Sequence, residues 1–104
     1  MAKNKISAQD IIDWSKPHAN NLEGAKHTVL ETKELTISIV GGAKGLYGDF
    51  VDDFEIAIWE NQNKEFRTKF FFPESGDDVL AYQTKEQLEE VVNLVIGNNN
   101  FQVK

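Results

Sequence analysis

The stretch FEIAIWENQNKEFRTKFFF, residues 54–72, decides how this chain is read. Phe54, Ile56 and Ile58 alternate with Glu55, Ala57 and Trp59, the period of two that marks a strand with one apolar face. A second run follows, in which Phe66, Thr68, Phe70 and Phe72 alternate with Arg67, Lys69 and Phe71. Asn61-Gln62-Asn63 lies between them and suits a three-residue hairpin loop, a type I turn with Asn63 in the left-handed conformation that Asn tolerates. That loop sets a register: Glu60 with Lys64, Ile58 opposite Phe66, Ile56 opposite Thr68, Phe54 opposite Phe70. On the reverse face it sets Glu55 opposite Lys69, an opposite-charge pair. A slip of one residue would bring Ile58 against Arg67 and turn every side chain to the other face. The expectation is an antiparallel hairpin of 54–60 with 64–72.

Outward from this hairpin, the pattern continues as strands on the N-terminal side and as a helix on the C-terminal side. Leu35, Ile37 and Ile39 alternate with Thr36, Ser38 and Val40, and 28–32 reads as a strand before them. Gly41, Gly42, Gly45 and Gly48 end that strand in a loop. Pro73 cannot continue a central strand, and 74–78 is a polar turn before a short strand over 79–82. Thr84 opens a capping box with Gln87. Leu88, Val91, Val92 and Val95 then form a stripe at helical spacing, with Lys85, Glu86, Glu89 and Asn93 facing outward and Gly97 as the stop. Residues 101–103 read as a last short strand.

At the other end, Ser7 is a helix N-cap with Asp10 in the first turn. Ile11, Ile12 and Trp14 lie on one side of that helix, and Pro17 disfavours helical geometry beyond Ser15. Residues 1–6 read as a frayed end and 16–26 as a loop joining the helix to the sheet. The whole reads as a single α+β domain over 1–104, an antiparallel sheet of about four or five strands with a C-terminal helix on one face and a short N-terminal helix. The expected core is Leu35, Ile37, Ile39, Phe54, Ile56, Ile58, Phe66, Phe70 and Phe72 beneath Leu88, Val91, Val92 and Val95.

Composition bounds the function. The chain has 104 residues, 40% hydrophobic and 27% charged, with seven Phe, two Trp and two Tyr, a make-up that can fill a core. It contains no cysteine, so disulfides and thiolate chemistry are excluded. No apolar run follows Met1 and no stretch is long enough to span a bilayer, so neither a signal peptide nor a membrane association is expected, and a cytoplasmic location follows by default. The net charge is −6. Residues 1–47 carry six Lys and five acids, whereas 48–104 carry five basic and twelve acidic residues, a net of −7 in the second half. Direct nucleic-acid binding is not expected of such a surface, and a basic partner is favoured.

Candidate chemistry is sparse. Gly41-Gly42-Ala43-Lys44-Gly45 lacks the G-x-x-x-x-G-K-[ST] pattern and a following helix, so a phosphate loop is not supported. Asp49, Asp52, Asp53 and Glu55 offer hard oxygens, but their spacing matches no calcium loop, and no metal or other cofactor is expected. His18 and His27 are the only histidines. No spacing places Ser15, Ser38 or Ser75 beside either as a nucleophile, and no catalytic residue is assigned.

The reverse face of the hairpin is more informative. Ala57, Trp59 and Phe71 point away from the helix side, and Val40 extends that face. A sheet side open to water is normally polar, so something covers these groups: the N-terminal helix, a second copy of the chain, or another protein. The expected function is non-catalytic, a small interaction or regulatory domain. Trp59, Phe71 and Ala57 would supply the contact, and Asp52, Asp53 and Glu55 an acidic flank for a basic partner. Two alternatives are an inhibitor whose carboxylates, among them Glu86, Glu89 and Glu90, imitate nucleic-acid phosphates, and a small-ligand site or enzyme near the 41–48 loop.

Overall fold

Two capping boxes delimit the helices. The computed structural model describes residues 6–17, 25–42, 50–73 and 79–104. Helix α1 (Ala8–Asp13) starts at Ser7, whose hydroxyl accepts from Asp10 N while the Asp10 carboxylate accepts from Ser7 N. Helix α3 (Lys85–Ile96) starts with the same exchange between Thr84 and Gln87. It ends at Gly97, whose φ of 56° and ψ of −127° suit only glycine. Its stripe of Leu88, Val91, Val92, Val95 and Ile96 is buried throughout.

The strands are β1 (Lys16–Pro17), β2 (Lys26–Glu31), β3 (Leu35–Gly41), β4 (Asp53–Glu60), β5 (Val79–Thr84) and β6 (Gln102–Val103), with a four-residue helix α2 (Thr68–Phe71) between β4 and β5. The sheet runs β1-β2-β3-β4-β5, all neighbours antiparallel, and β6 pairs with β2 beyond β1. The antiparallel α+β architecture is therefore as the periodicity indicates. Residues 16–26 are not wholly a loop, because Lys16 and Pro17 pair with His27 and Lys26 along the β2 edge. An edge strand tolerates a proline, which has no N–H for the ladder.

Register sorts the side chains into two faces. Thr28–Ile39–Ile56 and Leu30–Ile37–Ile58 are rows on the inner face, where each residue is at most 1% exposed. Both long helices lie on this side. Ile11, Leu88, Val91 and Val92 share one cluster with Leu30, Ile37, Ile39, Phe54, Ile56 and Ile58. Thr28 Oγ1 donates to Ile11 O at 2.7 Å and ties α1 to the sheet. Asn93 and Glu89, expected on the solvent side, instead hold the start of α1. Asn93 Oδ1 accepts from Ile6 N at 3.0 Å, Asn93 Nδ2 donates to Ile6 O at 2.9 Å, and Glu89 Oε2 accepts from Ala8 N at 2.7 Å. Ile6, expected in a frayed end, is consequently 8% exposed.

The hairpin of 54–60 with 64–72 does not form. The loop after β4 has four residues, Glu60 N donates to Glu65 O, and Lys64, not Asn63, takes the left-handed φ of 62°. The pairing therefore slips by one: Trp59 bridges Phe66, and Arg67 N donates to Ile58 O at 2.7 Å. Such a slip would send the following phenyl groups outward, and the chain avoids this by leaving the ladder. At Thr68 it coils into α2, and Phe71 and Phe72 pack against the core from there. Phe66 and Phe70, expected inside, are 48% and 76% exposed. The β4 edge they vacate is taken by β5, which pairs along Asp53–Ala57 with a register shift between Phe54 and Ile56.

Candidate interaction face

The outer face of the sheet consists of three rows fixed by the ladders. The first runs Lys16–His27–Val40–Glu55, the second Val29–Ser38–Ala57–Val79, and the third Glu31–Thr36–Trp59–Phe66. Four of the six residues read as an interaction surface thus stand together on β4: Asp53, Glu55, Ala57 and Trp59 alternate with buried Phe54, Ile56 and Ile58. Asp52 is exposed just before the strand. Phe71 does not join them, because α2 carries it to the core side against Phe70, ring centroids 5.3 Å apart.

Phe66 takes the place assigned to Phe71. Its ring stands edge-on to Trp59, centroids 6.2 Å apart with planes at 87°, the arrangement the ring quadrupoles favour. The pairing arises from the one-residue slip, so alternation in 64–72 could not reveal it. Val40, Ala57 and Thr36 on this face are buried, so Ala57 offers a partner little area, contrary to its expected contact role, and the open apolar surface is that of Phe66 beside half-buried Trp59. Helix α1 does not cover this face, contrary to the first of the three options, since Ile11 and Ile12 pack with the inner cluster and Trp14 meets Phe101 at 6.0 Å.

The two ends of the β4 row differ in character. Glu55 and Asp53 stand at one end, with Asp52 beside them, and Trp59 and Phe66 at the other. Four residues of extended chain separate Glu55 from Trp59, about 13 Å. A partner thus meets aromatic area and negative charge in one line.

The other sequence candidates are dispersed. Residues 43–49 lie outside the described residues, as do His18 and Ser75, so most of the glycine loop does so too. Of the acids on α3, Glu86 and Glu90 are exposed, whereas Glu89 is bonded to the α1 backbone. Among the described residues no three acidic or histidine side chains converge as metal ligands, and no helix is long and apolar enough to cross a membrane.

At the far end of β3 and β4 lies a feature that sequence reading did not foresee, a cavity of about 560 Å³ lined by Leu35, Glu60, Gln62, Arg67, Phe70 and Phe71 with Lys33 and Glu34 at its rim. Arg67 Nη2 meets Glu60 Oε2 at 2.5 Å and Glu65 Oε2 at 3.2 Å. The hydrogen bond to Glu60 leads the effects that raise the Arg67 pKa further above its usual value. No family model matches the chain, and searches of curated proteins and of solved structures give no match.

Proposed function

We propose that this chain is a non-catalytic interaction or regulatory domain that docks a protein partner on the outer face of its sheet. The observation that carries this reading is the Trp59–Phe66 pair, set on the face opposite both long helices, with Phe66 left 48% exposed. An aromatic pair provides buried area at low entropic cost. Asp52, Asp53 and Glu55 give the other end of the strand a negative edge, and 48–104 as a whole carries a net charge of −7. The fitting partner therefore has an apolar patch flanked by Lys or Arg, and its encounter is accelerated by charge.

Two surface variants, each first shown to melt as the parent does, test the reading: Phe66→Ser, and the double change Asp52→Lys with Glu55→Lys. Cross-linking to partners in an extract of the source cells, read by mass spectrometry, should give an adduct lost in Phe66→Ser. In the charge-reversed protein the same adduct should weaken, more so at low ionic strength than at high. An adduct that survives both variants unchanged refutes the proposed face.

A further inference from the structure

The cavity at the Leu35–Glu60 end of the sheet is independent of the outer face, and it lies at the opposite end of β3 and β4 from Gly41 and Asp53. Its rim is fixed. Asn61 Nδ2 donates to Thr32 O at 2.8 Å and Lys33 O at 3.2 Å, Asn61 N donates to Glu34 O at 2.8 Å, and Asn61 Oδ1 accepts from Thr36 Oγ1. One side chain thereby clamps the β2–β3 turn to the loop after β4. Inside, the guanidinium of Arg67 is anchored through Nη2 alone. Among the described residues, Nε and Nη1 meet no protein group. Nη2 belongs to both bidentate edges of a guanidinium, so what Arg67 keeps for a ligand at the cavity it lines is single donors, above all the N–H groups of Nη1. Phe70, 76% exposed, offers a free ring face against which a flat molecule can stack.

Charge decides which flat molecule. Lys33 and Arg67 stand against Glu34, Glu60 and Glu65, so the surroundings of Nη1 are net negative. A carboxylate or phosphate would find its guanidinium already shared by two carboxylates. A neutral carbonyl or ring-nitrogen acceptor has no such repulsion. The cavity volume lies within the range of small-molecule sites. We infer that this cavity binds an uncharged, planar heteroaromatic ring bearing a carbonyl acceptor, the class to which nicotinamide and the free nucleobases belong. The ring stacks on Phe70, with Leu35 and Phe71 as the apolar wall, and its acceptor takes a hydrogen bond from Nη1 of Arg67.

The test is a titration of the full chain followed by amide nitrogen–proton shifts and the Arg67 Nε–H signal. Nicotinamide is the probe, nicotinate its charged counterpart, and cyclohexanecarboxamide the counterpart without an aromatic ring. A fragment of this size should bind in the millimolar range, so the series extends to about 20 mM. Nicotinamide should give saturable shifts at 33–35 and 67–71 and move the Arg67 Nε–H signal, and nicotinate should bind several-fold more weakly. Phe70→Ala removes an exposed ring and should leave the fold unchanged while weakening nicotinamide binding. Arg67→Lys keeps the charge but has no second nitrogen to serve a ligand while the first holds Glu60 and Glu65, and should weaken it about tenfold. The inference is overturned if nicotinamide moves none of these signals, if all three probes bind alike, or if Phe70→Ala binds as the parent does.

Discussion

Where the chain departs from its expected hairpin it is anchored by one buried hydroxyl, and replacing Thr68 with Val tests that anchor. Thr68 is 0% exposed, and its Oγ1 accepts from Ile58 N at 3.0 Å and lies 3.4 Å from Ile58 O. Ile58 is itself fully buried, and β5 pairs with β4 only as far as Ala57. Without the hydroxyl, Ile58 N–H is buried with no acceptor among the described residues, which costs about 1–3 kcal/mol. The valine is nearly isosteric, so little is lost in packing. Thr68→Ser keeps the bond and loses one methyl group, about 0.8 kcal/mol. Urea unfolding should thus place Thr68→Val below Thr68→Ser, with m unchanged. For a domain of this size, each kcal/mol lowers Tm by about 4–8 °C. In an extended hairpin the order reverses, because a β-branched apolar residue on the inner face of a strand is favourable. A Thr68→Val protein as stable as the parent, or more so, would refute the account of the β4 edge.

Two further changes probe the same region. Lys64 holds the left-handed φ of 62° at the end of the loop, so Lys64→Gly should raise stability by roughly 0.5–1 kcal/mol in thermal melts, whereas Asn63→Gly should give no gain. Asn61→Ala removes the clamp between the two loops. It should lower stability by about 1–3 kcal/mol and speed amide exchange at Leu35, which a role confined to one loop would not do.

Much of the fold is legible in the chain because its signals are local. Ser7 with Asp10 and Thr84 with Gln87 mark helix starts by bonds three residues long, and Leu88, Val91, Val92 and Val95 show their burial by spacing alone. Ile37, Ile39, Ile56 and Ile58 do the same at a period of two. Residues 64–72 fail this reading because two distant partners override their alternation. Strand β5, from beyond α2, claims the β4 edge along Asp53–Ala57, leaving room beside it for only a short bridge. Asn61 is drawn to Thr32 and Lys33, 29 and 28 residues earlier, which holds the loop at four residues and so sets the slip. Neither competitor leaves a mark on the local pattern. The same limit applies to the surfaces. Alternation places Trp59, Ala57 and Glu55 together on one side of β4, but it cannot show that Phe66 replaces Phe71 or that Arg67 turns one edge into a cavity.

The slip also sets the two proposed surfaces on one short segment. Neighbouring residues of β4 point to opposite faces, and the two residues that meet them do likewise: Phe66 stands with Trp59 outside, and Arg67 with Glu60 inside. Had the expected register formed, Phe66 would be buried against Ile58, and Arg67 would stand on the outer face beside Ala57 and Trp59. The aromatic pair would be lost and the cavity would have no guanidinium. Because the two side chains diverge from adjacent positions, the two activities separate cleanly by substitution. Phe66→Ser acts on the outer contact and leaves ligand shifts at 67–71 intact. Phe70→Ala acts on the cavity and leaves the protein contact intact. Thr68→Val, which removes the bond that anchors both, should weaken both. A protein in which Phe66→Ser and Phe70→Ala each abolished both functions would mean that the segment acts as one surface, and the division between faces would be wrong.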